Sequence, residues 1–150
     1  MRIIRRRGDV AAPADRIFSV LEDPRMADDL NPAFLRTEVI ESAWIPSVGA
    51  RTSVQLTHRG ASYELVTELK EYRRGAFLLE RQVEGPFESF EHAVNVEAQA
   101  DGTTLTEILA YTPGYGLLGR LLDVLALRRD LEETLAMRQA RLRDLLQAIG

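Results

Sequence analysis

The 150-residue chain contains no cysteine, which excludes disulfide bridges, thiolate metal sites and cysteine nucleophiles. It contains only two histidines, His58 and His92, so a three-histidine metal site is excluded as well. No HExxH, GxSxG, P-loop or GxGxxG motif supports a hydrolase, an NTPase or a dinucleotide-binding protein. We therefore expect neither a metal nor any other cofactor.

Long apolar runs are also missing. No uncharged stretch approaches the about 18 residues of a membrane span, and no apolar segment follows the basic start. The net charge of −4 argues against a nucleic-acid binder, because such domains are usually basic. The arginines among residues 2–7 fit the solvated face of a strand better than an anion-binding patch. The sequence predicts a cytoplasmic protein that neither inserts into a membrane nor binds nucleic acid.

The composition is that of one ordinary folded domain. Hydrophobic residues make up 45% and charged residues 28%, and no linker-like stretch interrupts the chain. A domain of this length buries roughly 70% of the surface that its unfolded chain exposes. We expect a single domain over residues 1–150.

The apolar period divides the chain into a strand-rich part and a helical end. A first strand at 3–10 precedes a helix that starts near Pro13, and a second short helix occupies 25–30. The period then changes to two residues, which predicts strands. Strands are expected at 34–42, 50–58, 76–83 and 87–98, with a fourth strand after Arg59-Gly60 and a seventh after Asp101-Gly102.

Two hairpin turns predict registers. Arg59-Gly60 pairs residue 58 with 61, which sets Leu56 opposite Tyr63 and Val54 opposite Leu65 on one apolar face. Asp101-Gly102 pairs residue 100 with 103, which sets His92 opposite Tyr111.

The same second register gives the seventh strand an inward face that carries one charge. It sets Val94 opposite Leu109 and Val96 opposite Glu107. Glu107 on this face must reach solvent at the mouth of the cavity, pair with an arginine such as Arg81 or Arg138, or stay protonated, because an unpaired buried carboxylate is costly.

The orientation of the fifth strand depends on its turn. A two-residue turn at Gly85-Pro86 points Phe77, Leu79 and Arg81 inward. A longer turn or a bulge points Glu80 and Gln82 inward instead.

One long amphipathic helix is predicted from about 117 to 149. Its apolar stripes comprise Leu118, Leu121, Leu122 and Leu125, then Leu131, Leu135, Leu142, Leu145 and Ile149. The change of stripe allows a bend near 128–130. Arg138 interrupts the second stripe, and it either extends its guanidinium to water at an edge or points inward.

These elements predict an α+β fold in which a curved antiparallel sheet of about seven strands and the long helix enclose a cavity. The residues expected around the cavity are Leu56, Tyr63, Leu65, Phe77, Leu79, Arg81, Phe90, His92, Val94, Glu107, Leu109, Tyr111, Leu118, Leu122 and Leu135. Tyr115, Leu117 and Leu118 could form a lid between glycines.

The chain resembles the START-like, or helix-grip, superfamily and its polyketide cyclase-like branch. The resemblance rests on Asp23-Pro24, Leu30-Asn31-Pro32, Gly85-Pro86-Phe87, Phe90, His92, Gly102-Thr103, Tyr111, Pro113 and the helix at 117–143. It implies a ligand held between sheet and helix. Many similar sequences carry a second histidine two positions after the first, where this chain has Val94.

Three functions follow as alternatives. The first is binding of a small hydrophobic or amphipathic molecule without catalysis. The second, implied by the resemblance, is a cyclase, aromatase or dehydratase in which His92 carries protons and Tyr111 assists it. The third is a protein-interaction or quinone/lipid chaperone module. The oligomeric state stays open, with a homodimer among the alternatives.

Overall fold

The elements follow one another in the order that the sequence predicts. The structure, a computed structural model, describes residues 1–43, 45–114 and 124–149. Its strands are β1 Arg2–Val10, β2 Leu35–Ser42, β3 Arg51–His58, β4 Ala61–Arg73, β5 Phe77–Glu84, β6 Phe87–Gln99 and β7 Gly102–Pro113. Its helices are α1 Ala14–Leu21, α2 Ala27–Leu30 and α3 Val124–Ile149, and a 3-10 turn at Pro24–Met26 lies between the first two.

The seven strands form one open antiparallel sheet in the order β1-β7-β6-β5-β4-β3-β2. Consecutive strands from β2 to β7 are neighbours, and β1 adds beside β7. The first two strands are therefore the opposite edges, and α1, the 3-10 turn and α2 connect them. With α3 packed on the sheet, this is the expected α+β helix-grip fold.

The break after α1 follows from its local sequence. Pro24 restricts the backbone of Asp23, which is extended and therefore cannot continue the helix. The Asp23 carboxylate accepts a hydrogen bond from the backbone N–H of Arg25 at 3.0 Å and so caps the 3-10 turn. Ile17 and Phe18, on the apolar face of α1, are buried. The chain therefore turns at Asp23-Pro24 while α1 stays anchored in the core.

The hairpin β3–β4 has the predicted register. His58 pairs with Ala61, Leu56 with Tyr63 and Val54 with Leu65. Arg59 and Gly60 both have positive φ, 47° and 86°, as a two-residue hairpin turn requires.

The hairpin β6–β7 has the predicted faces but not the predicted register. Gln99 pairs with Gly102, so the turn lies one position earlier and the pairs from Ser89 to Gln99 shift by two residues. His92 therefore lies opposite Leu109, and Tyr111 lies opposite Phe90. A shift of two residues keeps each side chain on its face of the sheet. The predicted pair of His92 and Tyr111 is wrong, although both residues lie on the inward face.

The predicted orientation of β5 is wrong for Phe77, Leu79 and Arg81. Arg81 pairs with Glu91, whereas a two-residue turn at Gly85-Pro86 would have set Arg81 opposite Phe90. This shift of one residue moves each side chain of β5 to the opposite face of the sheet, because alternate side chains point to opposite faces. A bulge in β4 between Leu69 and Glu71 shifts the pairing with β5 by one residue, so that Tyr72 lies opposite Leu78. Glu80 is consequently on the inward face, as the alternative of a longer turn predicts.

Helix α3 runs without a break from Val124 to Ile149 and packs along one stripe. The fully covered leucines on this stripe are Leu127, Leu135, Leu142 and Leu146. Leu125 is 70% exposed, contrary to the predicted stripe, because it lies about 200° around the helix from Leu127. None of the described helices is long and apolar enough to cross a membrane.

The core under α3 is formed mainly by β1, β6 and β7. One part joins α3 to α1 through Leu142, Phe18 and Leu105, and a second part joins Leu135 to Leu109 and Tyr111. The helix therefore covers the β1–β7–β6 side of the sheet directly.

Gly102→Ala tests the close contact between the β6–β7 turn and the end of β1. Gly102 has φ +147°, and a Cβ there would lie 2.5 Å from the carbonyl oxygen of Val10. We expect a loss of about 2–3 kcal/mol in the free energy of unfolding, measured with urea. Gly75→Ala is the control, because Gly75 also has positive φ but open space around it. Its expected cost is about 1 kcal/mol, and equal losses in both variants would contradict the proposed clash.

Candidate functional site

A cavity of about 710 Å³ lies between the β2–β5 side of the sheet and the helices. All three helices and strands β2 to β7 contribute to its wall. Seven residues predicted from the sequence line it: Leu56, Tyr63, Leu65, Phe90, His92, Leu109 and Leu135. The cavity exists where the sheet extends beyond the part that α3 covers directly.

The other described residues predicted at the cavity lie elsewhere, for two reasons. Phe77, Leu79 and Arg81 are on the outer face of β5, where Arg81 pairs with Glu91 at 2.9 Å. Val94, Glu107 and Tyr111 do face inward but are completely buried and do not line the cavity. Leu118 and Leu122, together with the suggested lid residues Tyr115 and Leu117, lie outside the described residues.

Exposed wall residues show where the cavity reaches the surface. Arg25, beside α2, and Ile40, Glu41 and Ala43, at the end of β2, both line the cavity and are exposed. The opening therefore lies between the α1–α2 connection and the end of β2.

One cluster of charged side chains at the wall is formed by Glu80, His92 and Arg138, with Thr67 beside them and Glu107 buried behind them. His92 Nε2 lies 2.8 Å from Glu107 Oε2, and His92 Nδ1 lies 3.3 Å from Glu80 Oε1. Arg138 Nε donates to Glu107 Oε2 at 3.1 Å, and Thr67 Oγ1 donates to Glu80 Oε2 at 3.1 Å. We call these five residues the charged cluster. It links β4, β5, β6 and β7 to α3.

Both ring nitrogens of His92 face carboxylates, which only accept hydrogen bonds, and this geometry favours the imidazolium form. Burial alone would lower the pKa of His92, but its hydrogen bonds to Glu107 and Glu80 outweigh burial and raise the pKa. Burial alone would raise the pKa of Glu107, yet the charge of Arg138 and the hydrogen bond from His92 lower it to about 2. At Glu80, burial raises the pKa of the carboxyl and the hydrogen bond from His92 lowers it. The pKa of Glu80 is lowered overall. With an imidazolium at His92, the cluster contains two positive and two negative charges.

A second ionic group joins the β3–β4 turn to α3 at another part of the wall. Asp130 accepts hydrogen bonds from Arg59 at 2.8 Å through each carboxylate oxygen, and its Oδ2 lies 2.7 Å from His58 Nε2. The hydrogen bonds from Arg59 lower the pKa of Asp130, although burial opposes them. The Arg59 guanidinium also lies 4.6 Å from the centre of the Phe34 ring. This group fixes the described start of α3 over the cavity.

Three polar residues of the wall stand out among those that the sequence did not predict. Asp130 is one. Its position three residues after Leu127 puts a carboxylate on the packed face of α3, and this could have indicated a buried ion pair. Tyr72 and Glu22 are the others, and the Tyr72 hydroxyl donates to Glu22 Oε2 at 2.5 Å. Burial and this hydrogen bond raise the pKa of Tyr72 to about 12. The β4 bulge brings Tyr72 inward, and a strict period of two could not reveal it.

Metal binding finds no support in the part of the chain that the structure describes. Within it, no three histidine, aspartate or glutamate side chains are arranged to hold a metal ion. The charged cluster already contains its own cations, His92 and Arg138. It places hydrogen-bonding groups in an otherwise mostly apolar cavity.

Comparisons with solved structures show the same fold in proteins of low sequence identity. TTHA0849 from Thermus thermophilus is 16% identical with a TM-score of 0.75, and 99% of each chain is covered. A START superfamily protein from Mycobacterium smegmatis is 18% identical with a TM-score of 0.70, again over 99% of each chain. The di-domain ARO/CYC StfQ from the steffimycin biosynthetic pathway is 14% identical with a TM-score of 0.74, over 95% of this chain and 49% of StfQ.

Comparisons of sequence identify the family. No curated protein matches the chain. The family model described as polyketide cyclase/dehydrase and lipid transport, however, matches residues 1–147. The chain therefore belongs to the polyketide cyclase/dehydrase and lipid transport family.

Proposed function

We propose that the protein binds one small amphipathic molecule in the cavity between the sheet and α3. The observation that carries the proposal is the cavity itself, about 710 Å³ in volume with a largely apolar wall and an opening beside β2. Cavities of this size bury most of the surface of a drug-sized ligand. The fold and the family, which includes ligand-binding and cyclase-like proteins, support the same function.

The distribution of polar groups favours an amphipathic ligand over a hydrocarbon. Leu56, Leu65, Leu109 and Leu135 form apolar wall, whereas Glu80 and its partners place charges at one part of it. A purely apolar molecule would cover these charges without replacing their contacts with water, which costs free energy. A molecule with one polar group can meet both environments.

Binding is proposed here rather than catalysis because of the protonation of His92. A general base needs an unprotonated nitrogen, but both ring nitrogens of His92 lie against carboxylates. Tyr111 would assist it in the cyclase hypothesis, yet Tyr111 packs against Phe87 and Leu109 and is outside the cavity wall. The pair suggested by the sequence therefore lacks a free nitrogen for a general base, and its two residues do not share the cavity.

A tryptophan that fills the cavity tests the proposal. Leu56→Trp adds bulk to the inner face of β3 and is expected to weaken binding of the fluorescent probe 1-pyrenebutanol by at least about tenfold. Gln55→Trp is the matched control, because Gln55 is the adjacent exposed residue on the outer face. Fluorescence titration gives the affinities, and urea unfolding checks that both variants are folded. Absence of binding to the unaltered protein, or equal binding by both variants, would contradict the proposal.

A further inference from the structure

The charged cluster is neutral as a whole. Its carboxylates, Glu80 and Glu107, are balanced by the guanidinium of Arg138 and by the imidazolium of His92. Glu107 is completely buried behind the wall, while Glu80, His92 and Arg138 face the cavity. A ligand therefore meets both signs of charge side by side.

Two members of the cluster keep hydrogen-bonding capacity for a ligand. Arg138 uses Nε for Glu107, and its two terminal nitrogens donate to no acceptor within residues 1–43, 45–114 and 124–149. Glu80 is 34% exposed along its side chain, and each of its oxygens accepts one hydrogen bond. A carboxylate oxygen can accept two. Arg138 thus offers hydrogen-bond donors to the cavity, and Glu80 offers acceptors.

Charge balance decides which head group fits. A carboxylate bound at Arg138 would leave one unbalanced negative charge beside Glu80. An ammonium bound at Glu80 would lie beside Arg138 and His92. An uncompensated charge in a buried apolar site costs several kcal/mol, whereas a neutral hydroxyl adds none.

We infer that the ligand carries an uncharged head group that both donates and accepts hydrogen bonds, such as an alcohol, a phenol or an enol. The hydroxyl donates to Glu80 and accepts from Arg138, and the apolar body lies along β3 and β4. This inference rests on the proposed binding function and adds the chemical class of the ligand to it.

Three probes that share a pyrene body and differ in the head group test the inference. Fluorescence titration at pH 7 compares 1-pyrenebutanol, 1-pyrenebutyrate and 1-pyrenebutylammonium. We expect the alcohol to bind at least about tenfold more tightly than either ion. Equal or tighter binding of an ion overturns the inference but leaves the binding function intact. Failure of all three probes to bind overturns both.

A single charge change at the cluster provides the second part of the test. Glu80→Gln leaves the cluster with one net positive charge, so the carboxylate probe is expected to bind at least about tenfold more tightly than it does to the unaltered protein. Glu91→Gln is the control, because it changes the net charge equally but on the outer face, beside Arg81. Equal responses of the two variants to the carboxylate probe overturn the inference.

Discussion

Arg138→Met is expected to lower the free energy of unfolding by about 3–5 kcal/mol, although methionine fits the apolar stripe of α3. Arg138 is 9% exposed, and its guanidinium lies 3.1 Å from a carboxylate that has no contact with solvent. Without Arg138, Glu107 keeps only His92 as a partner within the described part of the chain. The cost arises mainly because a buried charge loses compensation, and only to a small degree from lost packing.

Arg81→Met is the matched control for this substitution. Arg81 also pairs with a glutamate, but the pair lies on the outer face and both side chains are exposed. Surface pairs of this kind contribute about 0–1 kcal/mol. Urea unfolding of the two variants at pH 7 gives the comparison, and a loss no larger for Arg138→Met would show that Glu107 does not need the guanidinium.

A double variant separates charge compensation from other effects of removing Arg138. Glu107→Gln combined with Arg138→Met removes the buried carboxylate as well, leaving an amide with His92. We expect the double variant to be more stable than Arg138→Met alone, because the uncompensated charge is gone. Additive losses from the two single substitutions would mean that the residues stabilise the protein independently.

The sequence predicts the β3–β4 hairpin correctly because two independent signals agree there. Arg59-Gly60 fits a two-residue turn, and the alternation in both strands places Leu56 opposite Tyr63. A register shifted by one residue would expose the apolar side chains of one of the two strands. Agreement between turn chemistry and pattern therefore fixes this part of the cavity wall.

The other two hairpins show how each signal fails by itself. In β6–β7 the pattern is clear, so the inward faces are right, but Asp101-Gly102 does not occupy the centre of the turn and the partners are displaced by two residues. In β5 the adjacent Leu78 and Leu79 are apolar on both faces, so the pattern is ambiguous and only the turn can decide. The turn is longer than two residues, so the side chains of β5 lie on the faces opposite to those predicted from a two-residue turn.

The charged cluster could be predicted only in outline. Glu107 and Arg138 each interrupt an apolar face, one on a strand and one on the helix, and opposite charges on facing elements suggest a pair. Which arginine meets Glu107 depends on the position of α3 over the sheet, and the role of Glu80 depends on the orientation of β5. Both are long-range properties that no local pattern encodes.

Pairing in the cluster connects stability with ligand choice. Among the described residues, the same contacts that neutralise Glu107 leave Arg138 with unused donors and Glu80 with unused acceptors at the cavity. A ligand hydroxyl can therefore bind without breaking a contact that holds α3 to the sheet. Removing Arg138 would affect both properties, whereas Glu80→Gln should mainly affect ligand choice, because the contact between Arg138 and Glu107 stays in place.

The free energy of unfolding is expected to be highest between about pH 5 and 6.5 and to fall on both sides. The pKa of Glu107 is about 2 in the folded protein against an ordinary 4.5, so its stabilisation is present above pH 4.5 and is lost as the pH falls towards 2. That shift corresponds to about 3 kcal/mol. The pKa of His92 is raised above 6.5, so its contribution is present below pH 6.5 and is lost as the pH rises through the folded value.

Urea unfolding between pH 2.5 and 9 checks both sides of this profile. Glu107→Gln should reduce the acid decline without abolishing it, because Glu80 and Asp130 also have lowered pKa values. His92→Gln should abolish the decline between pH 6.5 and 9. The chain has just one other histidine, so His58→Gln is the natural control and should retain that decline. A decline that disappears in His58→Gln but persists in His92→Gln would assign the alkaline transition to the group around Asp130 instead of the charged cluster.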